Sequence, residues 1–228
     1  MALEPVTLDS RCVIFAINPR AGALSQTAVC HDISNRLIAA GYETQLINDI
    51  DAIVAESTEQ HARGNLRAVV AAGGDGTVSL LANRLPPQIP IAILPLGTEN
   101  LLAKHLGITT DANAFVAMIQ RGMTQRMDAG RANGQLFLVM ASCGFDASVV
   151  HQLHARRRGH IRHWSYVRPI IDTITRYKYP ELRLWIDDDE VSLSTRWAFL
   201  FNVPRYAMNL PFSPEADPAD GLLDLCAF

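Results

Sequence analysis

The chain has 228 residues, 49% of them hydrophobic and 19% charged, and a net charge of −3. That length buries one large core or two small ones, and the composition excludes a disordered chain. The small negative charge excludes a global pull toward nucleic acid or anionic lipid, so nucleic acid is not an expected partner and lipid contact must come from a local patch.

The first half alternates short apolar runs with amphipathic segments. Cys12 to Ile17 reads as a buried strand ending at Asn18-Pro19-Arg20-Ala21-Gly22. From Ser25 to Ala40, Val29, Ile33, Leu37 and Ala40 recur at helical spacing, and Gly41 stops the helix. Glu43 to Ile47 predicts a second strand and Asp51 to Arg63 a second helix. Leu66 to Ala72 is a third strand running into Gly73-Gly74-Asp75-Gly76-Thr77, with a helix from Thr77 to Leu85. Ile89 to Leu94 is a fourth strand, ending at Pro95-Leu96-Gly97-Thr98, and a helix follows from about Glu99 to Leu106. This alternation predicts a parallel sheet with helices on both faces, where ligands sit at the carboxyl ends of the strands. All three turns, after Ile17, Ala72 and Leu94, fall at such ends.

After Arg126 the pattern changes. Leu136 to Met140, Leu182 to Ile186 and Trp197 to Phe201 predict strands, with helices near Ala147–Arg158 and Tyr166–Arg176. The expected organisation is an α/β nucleotide-binding domain over 1–126 and a β-rich second domain over 127–228.

No apolar run approaches the roughly 20 residues that span a bilayer, and Met1–Ser10 lacks the basic start and apolar stretch of a signal peptide. Cys12, Cys30, Cys143 and Cys226 form no CxxC pair, and three of them lie in apolar runs where buried free thiols are expected. A reducing, cytoplasmic setting follows, with any lipid met from the aqueous side.

Glycines between a strand and a helix let backbone N–H groups approach an anion, and the helix N-terminus adds positive potential. Three glycines around Asp75 exceed what a tight positive-φ turn requires. A carboxylate beside phosphates serves to hold Mg²⁺ or to orient an attacking hydroxyl. Thr77 reads as an N-cap or a phosphate contact. No Gly-Lys-Ser/Thr follows, so this is not a Walker A loop; Arg20 and Lys104 are available cations. In the next loop Gly97 permits close approach, while Thr98 and Asn100 offer hydrogen bonds or an N-cap. The stretch from His151 to Trp164 is strongly basic and suits either an anionic bilayer surface or a solvated helix face.

Together, Asn18-Pro19-x-x-Gly22, the Gly73–Thr77 run and Pro95-Leu96-Gly97-Thr98-x-Asn100-x-x-Ala103-x-x-Leu106-Gly107-Ile108 resemble the diacylglycerol kinase catalytic domain family. Met127-Asp128-Ala129-Gly130-Arg131, Gly144-Phe145-Asp146 and Asp220-Gly221-Leu222-Leu223-Asp224 extend the resemblance along nearly the whole chain. It implies an ATP- and Mg²⁺-dependent lipid kinase: an α/β domain related to phosphofructokinases and NAD kinases, then a β-sandwich. Asn18, Pro19, Arg20, Gly73, Gly74, Gly76, Thr77, Gly97, Thr98, Glu99 and Asn100 would bind the nucleotide. Asp75 and Asp128 would be catalytic, and Asp220 would bind metal; for Asp128 and Asp220 a turn-capping role is the competing reading.

Two departures stand out. Glu99 replaces the family's usual Gly, either as a first-turn acid or as bulk beside the phosphates. The family's later Asp-Gly-Glu segment, with its general-base Glu, is not found by Phe228, so a catalytically impaired nucleotide- or lipid-binding fragment is one alternative. An NAD kinase-like enzyme is the other. A second domain short of its terminal strands would expose a sheet edge, favouring a homodimer.

Overall fold

The computed structural model describes residues 3–7, 9–17, 24–155, 180–206 and 210–228. In chain order the elements begin with β1 (Leu3–Pro5), β2 (Cys12–Ile17), α1 (Leu24–Ala39), β3 (Glu43–Ile47), α2 (Ile50–Ala62) and β4 (Leu66–Gly73). Next come α3 (Asp75–Arg84), β5 (Ile91–Pro95), α4 (Leu101–His105), α5 (Ala112–Arg121) and β6 (Met123–Gln125). The later part holds β7 (Gly130–Ala132), β8 (Gln135–Phe137), β9 (Met140–Gly144), α6 (Phe145–Ala155), β10 (Leu182–Ile186) and β11 (Asp189–Thr195). It ends with β12 (Trp197–Phe201), β13 (Arg205–Tyr206), β14 (Leu210–Pro211) and β15 (Asp224–Ala227).

A parallel sheet of order β3-β2-β4-β5 centres the first part. Its inner strands β2 and β4 are apolar apart from Arg67 because both faces are covered, whereas edge strand β3 begins Glu43-Thr44-Gln45 and is only half-buried. Cys12, Ile14, Ala16, Val69 and Ala71 face one core with Ile53, Val78 and Leu81, from α2 and α3. Val13, Phe15, Ala68, Val70 and Ala72 face the other, with Ile33 and Leu37 of α1 and Phe115 and Ile119 of α5. The order reverses between β2 and β4, so the switch point lies where Ile17 pairs with Ala72 and the glycine run begins.

Helix α5 is not among the sequence expectations, although its signals are local. The Asp111 side chain caps it by accepting Ala114 N–H at 2.7 Å, and Gly122 ends it at φ 59°. Arg67 closes its other contacts. This buried guanidinium, 4% exposed, donates to the carbonyls of Ile119 (2.9 Å), Gln120 (2.7 Å) and Thr7 (3.3 Å). The negative end of the α5 dipole thus faces a buried cation.

The β-rich part contains an antiparallel sheet of order β15-β12-β9, with an aromatic core around Phe199 and Phe201. The single strand expected over Leu136 to Met140 is divided. Leu138 and Val139 separate β8, which pairs with β7, from β9, which pairs with β12, and both side chains pack into the first core. Val203, just after β12, is fully buried in that same core. Cys12 and Cys30 are buried, whereas Cys143 is exposed on β9 and Cys226 half-buried. Residues 156–179, which carry most of the basic stretch and the helix expected at Tyr166–Arg176, lie outside the described residues. Among the described residues no helix is long and apolar enough to cross a membrane.

Candidate functional site

The carboxyl ends of β4 and β5 bring the second and third loops into contact. A β-carbon on Gly97 would stand 2.4 Å from Gly74 Cα and 2.9 Å from Gly74 N. A β-carbon on Gly73 would meet the Thr77 hydroxyl at 2.2 Å. Gly73, Gly74, Gly76 and Gly97 all lack positive φ. These glycines therefore answer a need for space, not for a left-handed turn. Gly76 differs: it is exposed in the first turn of α3 with open space where a side chain would go. Thr77 and Val78 N–H both turn to the Gly74 carbonyl, so helix geometry leaves the N–H groups of Asp75 and Gly76 without intrahelical partners, the arrangement that accepts an anion.

Thr77 is not the N-cap. The cap position is Gly74, whose carbonyl accepts Thr77 N–H at 2.8 Å, and Thr77 is buried over Gly73. The cap thus lies three residues earlier than expected, at a glycine packed against Gly97.

Asp75 bridges the two loops. Its Oδ2 accepts Leu101 N–H and its Oδ1 accepts Leu102 N–H, each at 3.0 Å. A carboxylate from one loop thus caps the helix that follows the other. Asn100 holds the N-cap position of α4 at φ 52°, yet its side chain turns backward. Its Oδ1 accepts Gly97 N–H at 2.9 Å and its Nδ2 donates to Gly97 O at 3.0 Å. The Asn100 side chain thus makes no cap on α4, whose first amides are held by Asp75. Leu96 completes the junction: its N–H donates to Gly73 O at 3.0 Å, and its carbonyl accepts the Gln26 amide of α1. Thr98 and Glu99 are half-buried, and Glu99 pairs with Lys104 at 3.7 Å. Asn18, Pro19 and Arg20 lie outside the described residues.

Asp128 and Asp220 meet at a second junction. Asp128 N–H donates to Pro218 O and Asp128 Oδ2 accepts Gly221 N–H, both at 2.7 Å. Asp220 is exposed, and its Oδ1 accepts Leu222 N–H at 2.9 Å. Both carboxylates thus cap turns, which leaves further oxygen lone pairs on each. Among the described residues no three His, Cys, Asp or Glu side chains cluster as a metal set. Two carboxylates on adjoining loops nonetheless suit Mg²⁺, which takes one or two of them together with substrate phosphates.

Sequence reasoning passed over two polar groups. Asp146 is buried, accepting the Ser142 hydroxyl at 2.6 Å and the Tyr206 hydroxyl. Asn202, 1% exposed, donates through Nδ2 to Asp128 O and Leu138 O, both at 2.8 Å. Ser142 lies only four residues before Asp146, but the Tyr206 contact and both Asn202 contacts join distant parts of the chain, so no short motif reveals them.

The fold and these loops define an α/β protein with a glycine-built loop junction at the carboxyl ends of a parallel sheet, followed in the chain by a β-rich part. The chain belongs to the diacylglycerol kinase catalytic domain family, whose pattern it matches over residues 12–132. A diacylglycerol kinase of Mycobacterium tuberculosis is 31% identical over 218 residues, covering 91% of this chain and 70% of that protein. One of Staphylococcus saprophyticus is 26% identical over 180 residues, covering 75% of this chain. The chain spans 58% of the staphylococcal relative's length. The crystal structure of a diacylglycerol kinase from Bacillus anthracis aligns at a TM-score of 0.66 with 22% identity. That alignment covers 96% of this chain and 73% of that one, and it shows the fold.

Proposed function

We propose that this chain is an ATP-dependent lipid kinase that transfers the γ-phosphoryl group to the hydroxyl of a lipid such as diacylglycerol. The observation that carries the reading is the Gly74–Gly97 contact bridged by Asp75, which makes two strand-end loops one rigid cradle. Phosphoryl transfer depends mainly on positioning and charge stabilisation, and a rigid cradle supports both.

In this reading the N–H groups of Gly76 and its neighbours at the start of α3 receive phosphate oxygens. Gly97 and Thr98 border the nucleotide, with Asn100 keeping Gly97 in place. Asn18, Pro19 and Arg20 would complete the cradle from the first strand end. Asp75 orients α4, and its remaining lone pairs face the reacting groups. Asp128 and Asp220 would hold Mg²⁺, which when bound supplies neutralisation of phosphate charge. The acceptor lipid is met at a membrane surface from the cytoplasmic side, nucleic acid is not a partner, and a homodimer is the oligomer to test for.

The test is transfer of labelled γ-phosphate from ATP to diacylglycerol, phosphatidylglycerol, sphingosine, ceramide and NAD in parallel. Labelled phosphatidic acid is expected, and it should vanish in Asp75→Ala. Label on NAD alone, or no labelled lipid from folded protein, would sink the proposal.

A further inference from the structure

We propose that Asn202 is a positioning residue that sets the aim of Asp128; this rests on the reading of Asp128 as part of the transfer machinery. Asn202 ties its own segment to two others, at Leu138–Val139 and at Asp128. Its backbone N–H donates to Val139 O at 2.9 Å, and its Nδ2 donates to Leu138 O and to Asp128 O at 2.8 Å each. Asp128 in turn uses its own N–H on Pro218 and its carboxylate on Gly221. One amide group thus holds the backbone from which the Asp128 carboxylate reaches the Asp220-Gly221 turn.

The residue type follows from the geometry. Nδ2 has two protons and two carbonyl acceptors, while Oδ1 meets no donor among the described residues. Reversing the amide would press its oxygen against two carbonyls, so the orientation is determined. An aspartate would place a charged oxygen there, and an apolar residue would leave two part-buried carbonyls without this donor. Relief by backbone movement is resisted, because the next residue, Val203, is fully buried in the core that also holds Val69 and Leu102.

Amide hydrogen exchange on the full chain separates this role from general packing. In Asn202→Ala, the amides of Asp128 and Gly221 should exchange at least about ten-fold faster, while Gly97, held by Asn100, keeps its rate. Asn202→Asp should accelerate both amides further. Asn202→Ser, which retains one donor and serves if the alanine variant does not fold, should fall between wild type and alanine. Unchanged Gly221 protection, or equal acceleration everywhere, overturns the proposal. In the lipid assay, Asn202→Ala should lower kcat about ten-fold or more with KM for ATP within about two-fold, and Asp128→Asn should add nothing in that background. Losses that multiply also overturn it. If Asp128→Asn alone turns over normally while Gly221 exchange still rises in Asn202→Ala, the positioning stands and the catalytic reading of Asp128 falls.

Discussion

Gly97 lies against Gly74 so closely that a β-carbon on the first would sit 2.4 Å from the Cα of the second. It would also stand 2.7 Å from Asn100 Oδ1. Backbone cannot swing aside as a flexible side chain does, so Gly97→Ala must part the two loops. The expected cost is about 1–3 kcal/mol of stability, with a larger fractional loss of ATP affinity. Gly76→Ala is the control: its side chain enters open space, so thermal unfolding should barely change. Melting curves and nucleotide titration of both variants check this.

Asp75 ties the same loops by charge. Removing it leaves Leu101 and Leu102 N–H without their acceptor and strips the N-terminus of α4 of its compensating anion. Asp75→Ala should cost about 1–2 kcal/mol. Asp75→Asn keeps one acceptor oxygen and should recover part of that stability, but not phosphoryl transfer. Urea unfolding beside the lipid assay separates the two effects. Equal activity in wild type and Asp75→Asn would remove the charge from the mechanism.

Arg67 serves α5 from within the core. Arg67→Met keeps the bulk but leaves three carbonyls without a donor, an expected loss of roughly 2–4 kcal/mol. Arg67→Lys should recover little, because a single ammonium cannot reproduce the guanidinium fork. The urea midpoint measures both; near-wild-type stability in Arg67→Lys would refute the geometric argument.

The thiols should separate by burial. Burial, then the Glu56 and Glu43 carboxylates, push Cys12 up to about 11, and burial pushes Cys30 to about 11. Iodoacetamide at pH 8 should label exposed Cys143 first and spare Cys12 and Cys30 until the chain unfolds, as read by mass spectrometry. The folded state holds these two protons more tightly than the unfolded chain, whose thiols ionise near 9. Their contribution to stability is therefore full below pH 9 and declines between about 9 and 11. Cys12→Ala should flatten that decline in urea midpoints measured across the window.

Much of the first half is legible locally. Uninterrupted apolar runs such as Val13–Ile17 and Val69–Ala72 announce strands buried on both faces, and the glycine run after β4 announces an anion site at a strand end. Helix α5 was equally readable from Asp111 and Gly122, but its short amphipathic stretch carries no motif to draw attention. The division of Leu136–Met140 was not readable. Five apolar or aromatic residues in a row make a good strand until Leu138 and Val139 find a better partner in a core drawn mainly from between Cys12 and Ala103.

Residue types and local spacing suffice to specify the parallel α/β order, the glycine cradle and the family to which the chain belongs. They act through neighbours a few residues away: apolar period, turn chemistry, backbone space. What Asp75, Asn100 and Asn202 do is decided only in three dimensions. Asp75 selects the amides of Leu101 and Leu102, 26 and 27 residues away, and Asn202 selects the carbonyl of Asp128, 74 residues away. A carboxylate or an amide accepts many partners of equal chemistry. Which one it takes depends on the sheet register and core packing that bring distant backbone groups within 3 Å.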